Sequence, residues 1–239
     1  MGVIRLNNQT LAPSTGGFYI TNLVRPLPTL DASFISGAND GEMLENAALR
    51  NPLIEFDIWM TGVTAAQRRQ QIHDISKQLA VKSPTSLKFS DDSEDNRYYK
   101  VVRQGDIVPQ EYVDSAVIHV CFKSIYPWML GDYQGFDIGE SFTPKGNWPG
   151  LIELRASGSI TPDSDKLFAF GGLTFVFDDT NSRTITDFNN EKRIAMFAGR
   201  YYAPTTNSTW PTVTPGTPKT ISITKGSGSF KLRYEPRWI

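Results

Sequence analysis

The chain has a single cysteine, Cys121, and only two histidines, His73 and His119, in 239 residues. One thiol excludes an intrachain disulfide framework, and so few soft ligands leave no zinc-binding spacing. A dominant charge is missing too: 24 Lys and Arg face 25 Asp and Glu, for a formal net charge of -1. No basic block stands out, so sequence electrostatics gives no case for gripping nucleic acid or a membrane surface. No apolar run approaches the roughly 20 residues that a membrane-spanning helix needs. The start MGVIRLNNQT has no basic region followed by an apolar stretch, and Leu6 stands where a myristoylation signal wants Ser or Thr. A soluble protein made in the cytoplasm is expected. Signatures of catalysis are absent as well: there is no G-x-S-x-G elbow, phosphate-binding loop or dinucleotide glycine pattern.

What is present points to β structure. Hydrophobic residues make up 39%, enough for a true core, while Gly 19 and Pro 15 favour short strands joined by turns. GGFYITNLV reads as a strand ending at Pro26. In NPLIEFDIWM, Ile54, Phe56, Ile58 and Met60 alternate with Leu53, Glu55, Asp57 and Trp59, the period of a strand with one buried face. SAVIHVCFKSI alternates likewise, with Ala116, Ile118, Val120 and Phe122 on one side.

The period changes once. Thr64 followed by Gln67 forms a capping-box pattern, and Ala65, Arg68, Ile72, Ile75 and Leu79 recur at spacings of three and four. A helix over about 64–81 is predicted, stopped before Pro84. LKFSDDSEDNRYYKVV then reads as a hairpin with an acidic tip. The first part is therefore a β-sandwich carrying one helix and a projecting hairpin. The glycine- and proline-rich stretch after Tyr126 marks a boundary, which gives domains at 1–133 and 134–239. The second domain reads as all strand, another sandwich, with GSGS between Ile223 and Phe230 expected to turn a final hairpin.

Candidate chemistry is thin. Asp40, Glu42 and Glu45 crowd GANDGEMLEN, but Met43 and Leu44 fall where a calcium loop needs oxygen ligands, while Asn39-Asp40-Gly41 is a strong turn signal. Asp91, Asp92, Glu94 and Asp95, with Arg97 behind them, suit a solvated hairpin tip whose like charges discourage edge pairing better than a metal loop. His119 and Cys121, two apart on one strand, share a face roughly 7 Å apart, too far for a nucleophile–base pair. His73 falls on the polar face of the helix. Tyr201, Tyr202 and Trp210, among Thr, Asn and Pro, suit either a sugar-stacking platform or rings that pin long loops to a sandwich. No metal or cofactor is expected.

Together, the order of these pieces resembles the distal tail proteins of long, non-contractile-tailed phages that infect Gram-positive bacteria. The resemblance runs through Gly17–Ile20, the DGE turn at Asp40–Glu42, Arg50-Asn51-Pro52 ahead of the strand, the helix with Arg68 and Arg69, LKFSDD, Tyr98-Tyr99, and Tyr126-Pro127-Trp128. It closes on WPTVTPGTPKTISIT and YEPRWI. It implies an N-terminal sandwich that forms a six-membered ring and a C-terminal galectin-like sandwich that projects outward. It also implies a non-enzymatic virion protein of the tail tip, made in the host cytoplasm. Such a homohexamer joins the tail tube protein to the baseplate hub or tail-associated lysin. It anchors receptor-binding proteins or tail fibres and lets DNA pass through its lumen without specific binding. The acidic positions Asp40, Glu42, Glu45, Asp91, Asp92, Glu94 and Asp95, with Arg97, are then candidate contacts between copies or with partners. The alternative functions are a lectin-like module contacting the host cell wall and, behind it, a cell-wall hydrolase, for which any two carboxylates would suffice.

Overall fold

The computed structural model describes residues 4–11, 17–36, 42–61, 64–92, 96–154, 158–190 and 192–239. It divides into two compact units, residues 1–130 with Ile239, and residues 131–238. The architecture is mainly β, with one α-helix among the described residues.

The first unit is built on an eight-stranded antiparallel sheet. Its strands are β1 (Ile4–Leu6), β2 (Gln9–Thr10), β3 (Phe18–Val24), β6 (Leu53–Thr61), β7 (Thr85–Phe89), β8 (Tyr99–Gln104), β9 (Pro109–Glu111) and β10 (Ser115–Ser124). They run in the order β2-β1-β7-β8-β10-β6-β3, with β9 attached to β10. The period-two pattern becomes the core face directly. Ile54, Phe56, Ile58 and Met60 of β6 lie buried beside Ala116, Ile118, Val120 and Phe122 of β10, as the alternation predicts. Burying each of these side chains other than Ala116 contributes about 1.5–3 kcal/mol.

Helix α1 (Ala65–Leu79) covers that face with Ile75 and Leu79. Its start obeys the capping box: Thr64 Oγ1 accepts from the Gln67 amide and the Gln67 side chain accepts from the Thr64 amide. The sequence also puts Arg68 on the apolar stripe, and it is 5% exposed there. Its guanidinium donates to the carbonyl oxygens of Tyr112 at 3.4 Å and Val113 at 3.1 Å, tying the helix to the β9–β10 turn.

One element has no counterpart in the sequence reading. Strands β4 (Leu30–Ser36) and β5 (Glu42–Leu49) pair only with each other, making a two-stranded ribbon outside the main sheet. The Arg50 amide donates to the Thr29 carbonyl at 2.8 Å and closes its base.

The second unit packs a nine-stranded sheet and a three-stranded sheet around one aromatic core. The large sheet contains β12 (Gln134–Asp137), β14 (Gly150–Leu154), β15 (Gly158–Thr161), β18 (Arg183–Asn189), β24 (Ser227–Ser229) and β25 (Lys231–Tyr234). They run in the order β12-β25-β14-β18-β15-β24. The small sheet is β17 (Leu173–Val176), β16 (Leu167–Phe170) and β23 (Ile223–Lys225). Phe168, Phe170, Phe175, Phe188, Phe197 and Phe230 fill the space, with ring centroids 5–6 Å apart, as between Phe170 and Phe230 at 5.3 Å.

LFAFGGLTFVFDD forms a hairpin: Gly171 at φ +56° and Gly172 at +93° reverse the chain between β16 and β17. The expected GSGS hairpin does not form, because β23 pairs with β16 and β24 with β15. Gly226, at φ +76°, instead lets the chain cross from one sheet to the other. A Cβ there would sit 2.5 Å from the Thr161 carbonyl oxygen.

Candidate interaction surfaces

Among the described residues, no group of three or more His, Cys, Asp or Glu side chains is placed to hold a metal ion. The pair singled out by sequence, His119 and Cys121, belongs to the outer face of the main sheet, on β10. His119 is exposed and its Nδ1 lies 2.7 Å from Asp57 Oδ1, with which it is in register across β6. Asn22, at φ +51° in a bulge of β3, donates to the other Asp57 oxygen at 2.6 Å. Cys121 is half-buried beside Glu55, and burial first, then that carboxylate, pushes its thiol pKa up. A thiol held protonated is a poor nucleophile, so this row is structural. His73 is exposed on the helix.

The ends of the main sheet are more informative. Strand β3 is one edge, seven residues without a charge, FYITNLV, and Tyr19, Leu23 and Val24 are exposed along it. Leu27, just beyond, is 75% exposed. A long uncharged edge is what solitary soluble proteins avoid, because its free N–H and C=O groups template pairing with another chain. A second apolar surface lies at the β9–β10 turn, where Val113 is 98% exposed and Tyr112 stacks on Trp59, with centroids 6.0 Å apart and planes at 11°.

The acidic hairpin tip is anchored. β7 and β8 pair as expected, joined through a 3₁₀ turn at Ser90–Asp92. Asp91 is ion-paired with Arg25, whose guanidinium also covers the Phe89 ring at 4.5 Å. Arg97 is half-buried at the start of β8. Glu42 and Glu45 fall on β5, and Asp92 ends the 3₁₀ turn; Asp40, Glu94 and Asp95 lie outside the described residues. The ribbon and the hairpin tip are separate elements of the first unit.

The aromatic candidates divide. Tyr202 packs on Phe177 at 4.6 Å and Phe197 at 5.7 Å, and Trp210 on Phe188 at 5.3 Å, so both rings are engaged with the core. Tyr201 is 70% exposed.

Sequence reasoning took the exposed face of α1 as a polar surface and weighed only His73 on it. Arg69, His73 and Lys77, four residues apart, form a basic stripe with no ion pair among the described residues, and Lys82 follows the helix. Beside Lys77, between α1 and the β1–β2 turn, lies a cavity of about 560 Å³ lined in part by Leu6, Asn7, Gln9, Gln78 and Val81. The signal was available in the i, i+4, i+8 spacing.

No family model matches the sequence, and no curated protein does. Solved structures do. The structure of SPP1 Dit (gp 19.1), described as a paradigm of the hub adsorption apparatus in phages infecting Gram-positive bacteria, superposes with a TM-score of 0.73. The match covers 100% of both chains at 14% identity. The chain has the Dit fold. A chain of the phage P2 baseplate in its activated conformation with calcium matches at TM-score 0.50 and 8% identity, over 99% of this chain and 98% of that one. Both units take part in the Dit likeness, since it spans the chain from end to end. At such identity the likeness belongs to the backbone and carries no residue roles.

Proposed function

We propose that this chain is a structural protein of a phage tail tip. Six copies close head to tail into a ring that continues the tail tube and joins it to the baseplate hub. The observation that carries this reading is the end-to-end match of both units to Dit, with neither chain left over. The first unit, residues 1–130 with Ile239, forms the ring. The second, 131–238, is a galectin-like sandwich that projects and anchors receptor-binding proteins or fibres. DNA passes through the central opening without being held, in keeping with the net charge of -1 and the lack of a basic block.

A closed ring requires a heterologous interface: each copy must present two different surfaces that fit each other. The main sheet offers the ingredients. Its β3 edge is apolar and uncharged, the β9–β10 turn exposes Val113 and Tyr112, and its opposite end is the short strand β2. No reaction is assigned, and the tail tube and hub proteins are the expected neighbours. No helix among the described residues is long and apolar enough to cross a membrane.

Negative-stain imaging of the purified full chain, alone and mixed with the tube and hub proteins encoded beside it, tests the reading. Rings with a central hole are expected. A protein that stays monomeric in both mixtures overturns it.

A further inference from the structure

Two surfaces of opposite charge lie at opposite corners of the main sheet. The first is the β9–β10 turn. From Gln104 to Ile118 the sequence holds Asp106, Glu111 and Asp114 and no Lys, Arg or His. All three acids are exposed, as are Val108, Tyr112 and Val113 beside them. The turn is already held in shape. Arg68 donates to two of its carbonyl oxygens, the Tyr112 amide donates to the Ser115 carbonyl at 2.8 Å, and Tyr112 stacks on Trp59. A rigid apolar knob ringed by acids loses little freedom when it enters an interface.

The second surface is basic, and four strands supply it. Alternation buries Ile4 and Leu6 of β1, Leu87 and Phe89 of β7, Val101 of β8 and Phe122 of β10. Arg5, Lys88, Lys100 and Lys123 therefore fall on the opposite face. Arg5 stands directly across from Lys88. The register sets Lys100 diagonal both to Lys88, past Ser86, and to Lys123, past Val102, about 7–8 Å away in each case. Arg5, Lys100 and Lys123 have no ion pair among the described residues, and the Lys88 ammonium donates to the neutral Asn96 Oδ1 at 2.8 Å. Like charges facing each other across a strand pair destabilise a sheet, so this row is a cost that an anionic partner would offset. The nearest acid on that face of β6, Glu55, is engaged with Cys121 across the strand pair. Leu53, exposed opposite Lys123, and Val102 on its other side give the corner an apolar floor.

We infer that the β9–β10 turn of one copy docks on this basic corner of the next copy. Val113 seats against Leu53 and Val102, and Glu111 and Asp114 face Lys100 and Lys123. This rests on the ring reading and names its contact. Strand β10 carries both surfaces, with the turn at its start and Lys123 near its end, about 30 Å apart. They cannot meet within one copy, so the contact is head to tail, as ring closure requires. The apolar seat of Val113 holds the pair together. Exposed ion pairs add little affinity, but opposite charge steers the encounter and fixes the register. The incoming carboxylates also lower the repulsion along the basic row.

Charge reversal in the full chain tests the contact, read as the fraction of protein in rings by light scattering and negative stain. Lys100→Glu with Lys123→Glu is expected to lower that fraction by about tenfold or more, and Glu111→Lys with Asp114→Lys to do the same. The four changes combined should restore it to within about twofold of the parent. Val113→Asp alters a side chain that is already 98% exposed, so it should abolish rings while leaving the circular dichroism spectrum of the parent. Rings that persist in both double variants and in Val113→Asp overturn the contact while the ring stands. Loss of rings in only one double variant, or no rescue by the combination, gives the two surfaces different partners and overturns it as well. A Lys100 and Lys123 variant that keeps its rings but loses a fluorescent DNA duplex bound by the parent assigns the corner to nucleic acid instead. A parent that forms no rings, alone or with the tube and hub proteins, removes both readings.

Discussion

The guanidinium of Arg25 lies 4.5 Å over the Phe89 ring and bonds to the carboxylate of Asp91 two residues further on. The segment that leaves edge strand β3 is thereby fastened to the hairpin tip at β7. The two contacts reinforce each other, because an ion pair that is half-exposed holds better when one partner is already positioned on a ring face. Replacing Arg25 with Ala is expected to lower stability by about 1–2 kcal/mol, and Asp91→Asn by about 0.5 kcal/mol. Denaturant unfolding of both variants and of the double variant checks this. A zero coupling energy between the two positions means the pair is decorative.

Gly17 initiates strand β3 at φ +77°, and a Cβ there would sit 2.0 Å from the Thr61 carbonyl oxygen. Its own carbonyl accepts the Thr61 amide at 2.8 Å, the last rung joining β3 to β6. Backbone cannot swing aside as a long side chain does, so Gly17→Ala must part the strands. A loss of about 3 kcal/mol or more is expected, with faster amide exchange at Tyr19 and Ile20. Because β3 is the proposed ring edge, ring formation should weaken before the core of the first unit melts. Wild-type exchange rates along β3 in this variant would contradict that order.

The parts of this fold that the sequence disclosed are those where a period repeats long enough to accumulate. Leu53–Thr61 and Ser115–Ser124 span nine and ten residues with one face buried, and α1 carries both a capping box and a stripe at three and four. What escaped has a local cause in each case. The ribbon strands LDASFIS and EMLENAAL lack the strict apolar–polar alternation by which a half-buried strand is recognised in sequence. GSGS looked like a turn between neighbours because glycine marks a reversal and a sheet crossing equally well; only the pairing partners distinguish them. Of the interaction candidates, Asp91 was legible as a hairpin tip, but its bond to Arg25 joins residues 66 apart, and nothing local encodes that. Trp210 and Tyr202 were legible as rings that pin loops ahead of a sugar platform, but the rings they pack on, Phe188 and Phe177, were not.

Cys121 gives a chemical probe of the outer sheet face. Its thiol titrates above the usual range because burial disfavours the thiolate and the Glu55 carboxylate, directly across the strand pair, repels it. Removing the negative charge with Glu55→Gln lowers the thiol pKa, so more thiolate is present at a given pH. At pH 8 the native thiol should react with iodoacetamide several-fold more slowly than free cysteine, and the variant faster than the native protein by a few-fold. The midpoint of the rate against pH must move to lower pH in the variant. A shift in the opposite direction removes the carboxylate as a cause.

The two units have separate cores, and this separates their responses to damage. Phe170 is buried among Phe168, Phe175, Phe188 and Phe230, with centroids between 5.3 and 6.3 Å. None of these rings belongs to the cluster formed by Phe56, Ile58, Ile118 and Leu79. Truncating Phe170 to Ala leaves a cavity that four neighbouring rings cannot close without leaving their own edge-to-face contacts, at a cost of about 3–5 kcal/mol. Amide exchange is then expected to accelerate in β16, β17 and β23 while β6 and β10 keep their native protection. Such a split supports the proposal that the ring-forming and projecting parts fold as separate units, because ring assembly should then survive in a variant whose second unit has loosened. Equal acceleration in both cores shows a single cooperative unit, and a boundary near residue 133 then loses its functional meaning.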